Sequence, residues 1–528
     1  MYLRAEAGFL HTVVVGDGPT VVVLPDSPGS AAALAPQLAP LGAEYRLVLV
    51  DLPGHGATTI APDRADPVGQ AAAVVVELLA RMLDGPVPVV GFGAGTAVVA
   101  RLGAEHADRV SVLVAAGAPH HGAPPPPPGR FEPVGDGSHL LAVWTEVRES
   151  ARYRPWWSGR RADLRSGAQP SPAVLHAATV DTLAHGDDHR PLLQAAWAAP
   201  PQPLLSTVVL DDVVPALPAL RTAFGAAFAT TAGRGRRVAA PAGSPARFGD
   251  GVGGPGYLAG LHVRLAGTDW AGRRTPVVVL PAAPGSSTIL DPLIDRLAMT
   301  RPVIGIDYPG HGRTPPLDIA EPTLEDYVEV LGAALGQLDG GPFDVYGTHS
   351  GASLAAELGH RFPSVVRRLV LDGTPLLPSE LVDELLEENF VSLDPDRHGS
   401  HLARAWGYVV DRSLWWPWYR QDGEHALPGD RPLAPVLHHL TTDLLRGAAT
   451  YHLLYAAALR HDVGPVLEAL GQPVLVCGRA ADPVDRYRPA VAARVPRSRC
   501  ATVDVAAGED GLAAVARTAA AFFDEPDL

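Results

Sequence analysis

The 528-residue chain contains no lysine, so all 42 of its Lys-plus-Arg positions are arginine. A Schiff base, a pyridoxal-phosphate linkage and the lysine of a Walker-type phosphate loop all need that primary amine, and these three chemistries are excluded. Cysteine is nearly absent. Cys477 and Cys500 are too few for a disulfide framework and have no metal-ligand spacing around them, which predicts a reducing compartment and a cytoplasmic location. Positive charge is in the minority, 42 basic against 57 acidic residues for a net −15, so neither nucleic acid nor an anionic membrane is expected as a partner. No apolar run reaches the roughly 18 to 20 residues of a membrane span, and the N-terminus lacks the basic-then-apolar pattern of a secretory leader. Asparagine occurs once, at Asn389.

What is present is apolar mass and repetition. Apolar residues make up 47% and charged residues 19%, the profile of a globular protein whose length calls for two to five domains at roughly 100 to 200 residues each. Val21-Val-Val-Leu-Pro-Asp-Ser-Pro-Gly-Ser recurs as Val277-Val-Val-Leu-Pro-Ala-Ala-Pro-Gly-Ser, and Asp51-Leu-Pro-Gly-His-Gly as Asp307-Tyr-Pro-Gly-His-Gly, both 256 positions later. Gly91-Phe-Gly-Ala-Gly and Gly347-Thr-His-Ser-Gly keep that offset. Gly137-Ser-His-Leu and Gly399-Ser-His-Leu, Trp144 and Trp406, Trp156 and Trp418, and Asp181 and Asp443 follow at 262. The reading is a tandem repeat: a domain at 1–243, a Gly/Pro-rich connector at 244–256 and a domain at 257–528, the two pairing within the chain.

Each half alternates short apolar runs such as Val21 to Leu24 and Leu47 to Val50 with helical stretches, a βαβ rhythm that predicts an α/β fold with a mostly parallel sheet covered by helices. Functional groups of such sheets gather at the carboxyl ends of the strands, where the turns after Val90 and Tyr346 lie. Four signals in order, the Pro-Gly-Ser turn, Asp-x-Pro-Gly-His-Gly, the Gly-x-x-x-Gly elbow and a late strand followed by Asp, resemble the α/β-hydrolase fold, twice over. The second half is similar to a bacterial subgroup with histidine at the elbow. The resemblance implies two fused α/β-hydrolase domains with helical caps at about 119–203 and 375–461.

The elbows decide what chemistry that resemblance permits. In Gly-x-Ser-x-Gly, the turn exposes a nucleophilic serine beside backbone N–H donors. Neither elbow has it: Gly93 holds the position in the first half and His349 in the second, with Ser350 one place late. The first half has no histidine between His189 and His262, and its connector is expected to replace the last helix, so it reads as catalytically dead. In the second half the expected catalytic set is His349, Asp482 and Glu509. Ala283 and Ser350 are expected to supply oxyanion N–H groups, and Asp372, replaced by Ala116 in the first half, is a second candidate partner for His349. An imidazole of ordinary pKa about 6.5 exchanges protons at neutral pH without any serine. His401, Trp406 and Trp418 in the cap are expected as substrate-binding residues, with core packing as the competing role for both tryptophans because Trp144 and Trp156 repeat them. His55 and His311 occur in both halves and are expected to be structural.

No metal or cofactor is expected, since the histidines show no ligand spacing and no Gly-x-Gly-x-x-Gly follows the first strand. The expected partner is an apolar small molecule bearing a carbonyl, a product class that rests on fold analogy. The expected function is proton-transfer chemistry on it: cyclisation, isomerisation, elimination or carbon–carbon cleavage. The competing readings are hydrolysis of an ester, amide or epoxide, and a binding or scaffold protein in which both sites are dead.

Overall fold

The computed structural model describes residues 1–82, 85–117, 131–153, 155–165, 169–199, 207–210, 217–230, 253–268, 270, 274–338, 341–505 and 510–526. The chain divides into two compact units, Met1–Gly243 with Pro395–Gly399, and Ser244–Asp394 with Ser400–Leu528.

The first unit contains strands β1 (Tyr2–Ala5), β2 (Gly8–Val15), β3 (Thr20–Leu24), β4 (Arg46–Val50), β5 (Val87–Phe92), β6 (Val110–Ala116) and β7 (Thr207–Leu210), arranged β1-β2-β4-β3-β5-β6-β7. The second contains β8 (Gly254–Leu258), β9 (Leu261–Ala266), β10 (Val277–Leu280), β11 (Val303–Ile306), β12 (Phe343–Thr348), β13 (Val366–Asp372), β14 (Val474–Gly478) and β15 (Ser498–Thr502), arranged β8-β9-β11-β10-β12-β13-β14-β15. The two orders are the same, with one further parallel strand closing the second sheet. From β3 and from β10 onward all pairings within each sheet's central run are parallel, while the N-terminal hairpins join antiparallel.

Strands buried on both faces read as continuous Val, Leu and Ile runs, and their alternate residues serve different cores. In the second unit Val278, Leu280, Ile304, Val345, Leu369 and Leu371 pack on one face, and Val277, Val279, Tyr346, Val370 and Leu475 on the other. The Asp-x-Pro-Gly-His-Gly aspartate is a buried hub in both units. Asp51 accepts from His11 Nδ1 at 2.7 Å and from the N–H groups of Ala31 and Ala57; Asp307 accepts from His262 Nδ1 at 2.7 Å and from Ser287. Burial opposes ionisation of each carboxyl, but the histidine bond and the donors around it win and hold both below the ordinary carboxylate range. His55 and His311 are buried with Nδ1 on the carbonyl oxygens of Pro53 and Pro309.

Two expectations change. The connector does not run to residue 256, because Gly254–Gly256 pair with Leu265–Val263 as part of β8; an edge strand bonds on one side only, so it tolerates these glycines and Pro255. Nor does the first unit lose its last helix. Leu217–Thr230 packs Leu220, Ala223 and Phe224 over Val114 and Ala116, on the face that Gly511–Phe523 covers in the second unit. Among the described residues, the first unit lacks a counterpart of β15.

Candidate active site

The elbow follows from glycines on either side of it. A Cβ at Gly347 would stand 2.2 Å from the Gly351 carbonyl oxygen, and one at Gly351 would stand 2.3 Å from that of Leu280, so only glycine lets the helix Ser350–Arg361 press so close to β10 and β12. The reversal leaves His349 at φ 51°, ψ −118°. Ala259 is the only other described non-glycine residue with positive φ. Such a conformation costs of order 1–3 kcal/mol in a residue with a side chain and persists only where surrounding contacts impose it. Here His349 N–H donates to the Asp372 carbonyl at 2.9 Å, and its own carbonyl accepts from Ala352 N–H at 2.8 Å.

The imidazole meets Asp482 across Gly373: His349 Nε2 lies 2.7 Å from Asp482 Oδ2. Asp482 is fixed from behind, its Oδ1 accepting from Val484 N–H at 3.0 Å and its own N–H donating to the Arg479 carbonyl at 2.8 Å. It thus caps its turn and orients the ring at once. With Nε2 engaged by the carboxylate, Nδ1 is the ring nitrogen left for a reactant, and the His349 side chain is 40% exposed because it faces a cavity. Enclosure disfavours the imidazolium, but the hydrogen bond and charge of Asp482, with the charge of Asp372 added, outweigh it and raise the His349 pKa above 6.5. The same bond holds Asp482 below its ordinary range against the effect of burial.

Asp372 is not the direct partner of His349. It is fully buried and its Oδ2 accepts from Tyr346 OH at 2.7 Å, so it acts on the ring through its charge alone. Glu509 lies outside the described residues.

The first unit supplies a control for the oxyanion donors. There Asp26, at the position of Ala282, places Oδ1 2.7 Å from Ser27 N–H and 2.7 Å from Ala94 N–H. One carboxylate oxygen on two converging backbone donors is the arrangement that holds a developing negative charge. A Cβ on Gly93 would stand 1.9 Å from Asp26 Cγ, so this carboxylate and an elbow side chain exclude each other. In the second unit the same two donors are Ala283 and Ser350, with Ala282 in place of the aspartate. Ala283 N–H donates to Ser350 Oγ at 2.8 Å, a use of the hydroxyl that sequence reasoning did not anticipate. The Ser350 N–H stands at the start of its helix, where intrahelical acceptors are lacking.

His349, Asp482, Ala283 and Ser350 all face one cavity of about 360 Å³, with Trp415, Trp416 and Trp418 among its walls. The corresponding cavity of the first unit is about 90 Å³.

A family model described as alpha/beta hydrolase fold matches residues 19–147 and again 275–398. Each unit has the alpha/beta hydrolase fold. Solved structures of similar fold include an alpha/beta hydrolase from Sphaerobacter thermophilus (21% identity, 49% of this chain and 96% of that one, TM-score 0.36). N-formylmaleamic acid deformylase from Pseudomonas putida (16%, 51% and 100%, TM-score 0.35) and an enol-lactonase from Burkholderia xenovorans (15%, 51% and 96%, TM-score 0.37) are further examples. No curated protein matches.

In the second unit the cap contributes differently from expectation. Trp418 lines the cavity and donates its indole N–H to the Asn389 carbonyl at 3.1 Å. His401 and Trp406 do not line it; they are buried residues of the cap helix Ser400–Arg412, at 0% and 6% exposure. The residues that reasoning from sequence missed are Arg412, at the far end of that helix, with Asn389 and Arg479. Two signals pointed to them: Asn389 is the only asparagine, and at the offset of 262 Arg412 has Ser150 as its counterpart. Among the described residues no group of three His, Cys, Asp or Glu side chains is placed to hold a metal, and no helix is long and apolar enough to cross a membrane.

Proposed function

We propose that the second unit is the working half of an enzyme that moves protons on an apolar, carbonyl-bearing metabolite, with His349 as acid and base and Asp482 as the group that orients it. The first unit is a degenerate copy that arose by duplication. The observation that supports this reading is the His349–Asp482 bond of 2.7 Å, made by an elbow residue held at φ 51° on a cavity wall. In the step proposed, Nδ1 takes a proton from the carbon next to the carbonyl, the electron pair of that C–H bond becomes the C=C bond of the enolate as the carbonyl π pair moves to oxygen, and the enolate oxygen is held by the Ser350 N–H, with the Ala283 N–H acting through the Ser350 hydroxyl that accepts from it. Because Ser350 Oγ already accepts from Ala283, its hydroxyl proton is left to donate to the same oxygen. Return of the proton to another carbon isomerises the substrate, and loss of a leaving group instead gives elimination. Glu509 is retained as a proposed second carboxylate to orient His349, and Trp418 as a wall for the apolar body.

The test compares metabolite masses in the source organism carrying wild-type protein or His349→Gln at equal abundance. An isomer, or a larger precursor of a cleaved product, is expected to accumulate with the variant. An unchanged profile would contradict the reading and favour a binding protein. Labelling of Ser350 by a fluorophosphonate would favour hydrolysis through a serine ester, and none is expected.

A further inference from the structure

The cavity contains donors with nothing to donate to. Arg412 lines it and makes no ion pair with any described carboxylate; its guanidinium carbon sits 5.2 Å from the centroid of the Tyr408 ring. Asn389, 3% exposed, also lines the cavity, and its Nδ2 has no hydrogen-bond partner. Tyr408 lies between them: Asn389 and Arg412 both bear on its hydroxyl, yet that hydroxyl, 2% exposed, has no geometrically sound bond either. A guanidinium, an amide NH₂ and a phenol thus meet at one corner with no described carboxylate among them to accept. Buried polar groups such as the Asn389 amide and the Tyr408 hydroxyl are almost always satisfied, and the half-buried Arg412 guanidinium beside them has no described carboxylate as counter-ion, so the cluster suits an anion.

Arg479 faces the same cavity and forms no ion pair with a described carboxylate, but its charge is shared by Asp372 and Asp482. Arg412 has no such balance. The first unit, with Gly93 at its elbow, has Ser150 where Arg412 stands and Glu146 where Tyr408 stands, so elbow side chain and cationic corner are absent together.

We propose that the substrate carries a carboxylate, held at Arg412 by the guanidinium with Asn389 Nδ2 and the Tyr408 hydroxyl, and that its apolar body lies against Trp415, Trp416 and Trp418. A carboxylate fits because it is planar, accepts at both oxygens and matches a guanidinium fork, whereas an amide or ester brings no charge to the cation. The inference deepens the proposed function and rests on the reading of this cavity as a substrate site.

The test uses the full chain and a panel of aromatic and alicyclic carboxylic acids, each paired with its primary amide; 2-naphthoic acid with 2-naphthamide is one such pair. Binding is followed by quenching of tryptophan fluorescence and by shift of the melting temperature. Acids are expected to bind at least tenfold more tightly than their amides. Arg412→Met is expected to remove that preference and Arg412→Lys to keep part of it. Asn389→Asp, a near-isosteric change that supplies the missing carboxylate internally, is expected to abolish acid binding while raising the melting temperature. A panel with no acid preference, absence of binding included, or a preference that survives Arg412→Met, would overturn the proposal. Acid preference without any turnover would leave the carboxylate site standing and sink the proton-transfer reading instead.

Discussion

Gly373→Ala tests how the His349–Asp482 pair is held together. Gly373 has φ +65°, and a Cβ there would stand 3.0 Å from His349 Cδ2, 3.1 Å from Nε2 and 3.2 Å from Asp482 Oδ2. The backbone conformation alone costs an L-residue about 1–2 kcal/mol. Reduced freedom of the unfolded chain offsets only about 0.4–1 kcal/mol of that. The methyl must then displace one of two side chains that are both anchored, His349 through its N–H on Asp372 and Asp482 through Val484. The expected net loss is about 1–3 kcal/mol, or roughly 2–12 °C in melting temperature at ~2–4 °C per kcal/mol for a domain of this size. Gly260→Ala is the control. It has φ +88° and nothing within 4 Å of a Cβ, so it carries backbone strain alone. The decisive readout is the titration of the His349 ring by NMR. Gly373→Ala is expected to lengthen the 2.7 Å bond, weaken the effect of Asp482 and lower the His349 pKa, while Gly260→Ala leaves it unmoved. Equal stability losses with an unchanged His349 titration in both variants would refute the reasoning.

Three further outcomes follow from the geometry. Asp482→Asn removes the charge that opposes burial of the imidazolium, so the His349 pKa is expected to fall from above 6.5 to below it, seen as a shift of the ring titration to lower pH. In the first unit, burial depresses His55 to about 4, with the Pro53 carbonyl only partly opposing it. A depressed folded-state pKa means stability that is present above pH 6.5 and lost as pH falls toward 4, about 3 kcal/mol in all, so urea midpoints should drop across that window in wild type and less in His55→Gln. Arg301, 1% exposed, bonds Asp524 at 2.6 Å, and Arg301→Met is expected to destabilise the second unit by about 1–3 kcal/mol, measured by denaturant unfolding, because the half-exposed Asp524 loses its partner while Asp344 keeps Arg367 at 2.7 Å.

The mostly parallel sheets were legible because buried parallel strands announce themselves as Val/Leu runs, and the elbow because glycines at 347 and 351 are needed for close backbone approach. What escaped was three-dimensional convergence. Asp26 filling the first unit's donor pair depends on a contact across 68 positions, and nothing local in Pro-Asp-Ser-Pro signals it. His401 was placed at the site because the cap faces the elbow; it shares a helix face with Arg412 but lies 11 residues, roughly 16 Å, away along the axis at 1.5 Å per residue. Angular position was readable, and axial position was not. The bond between Ser350 Oγ and Ala283 N–H likewise joins two loops whose spacing only the folded sheet sets.

The central claim is that His349 exchanges protons with carbon. The most direct measurement incubates the full chain in D₂O with carboxylate-bearing ketones and follows deuterium entering the carbon next to the carbonyl by NMR. Wild type is expected to catalyse exchange in at least one compound, with a rate that rises with pH through a midpoint above 6.5, and His349→Gln is expected to abolish it. Exchange that persists undiminished in His349→Gln, or no exchange from a wild-type protein that binds these compounds, would contradict the account.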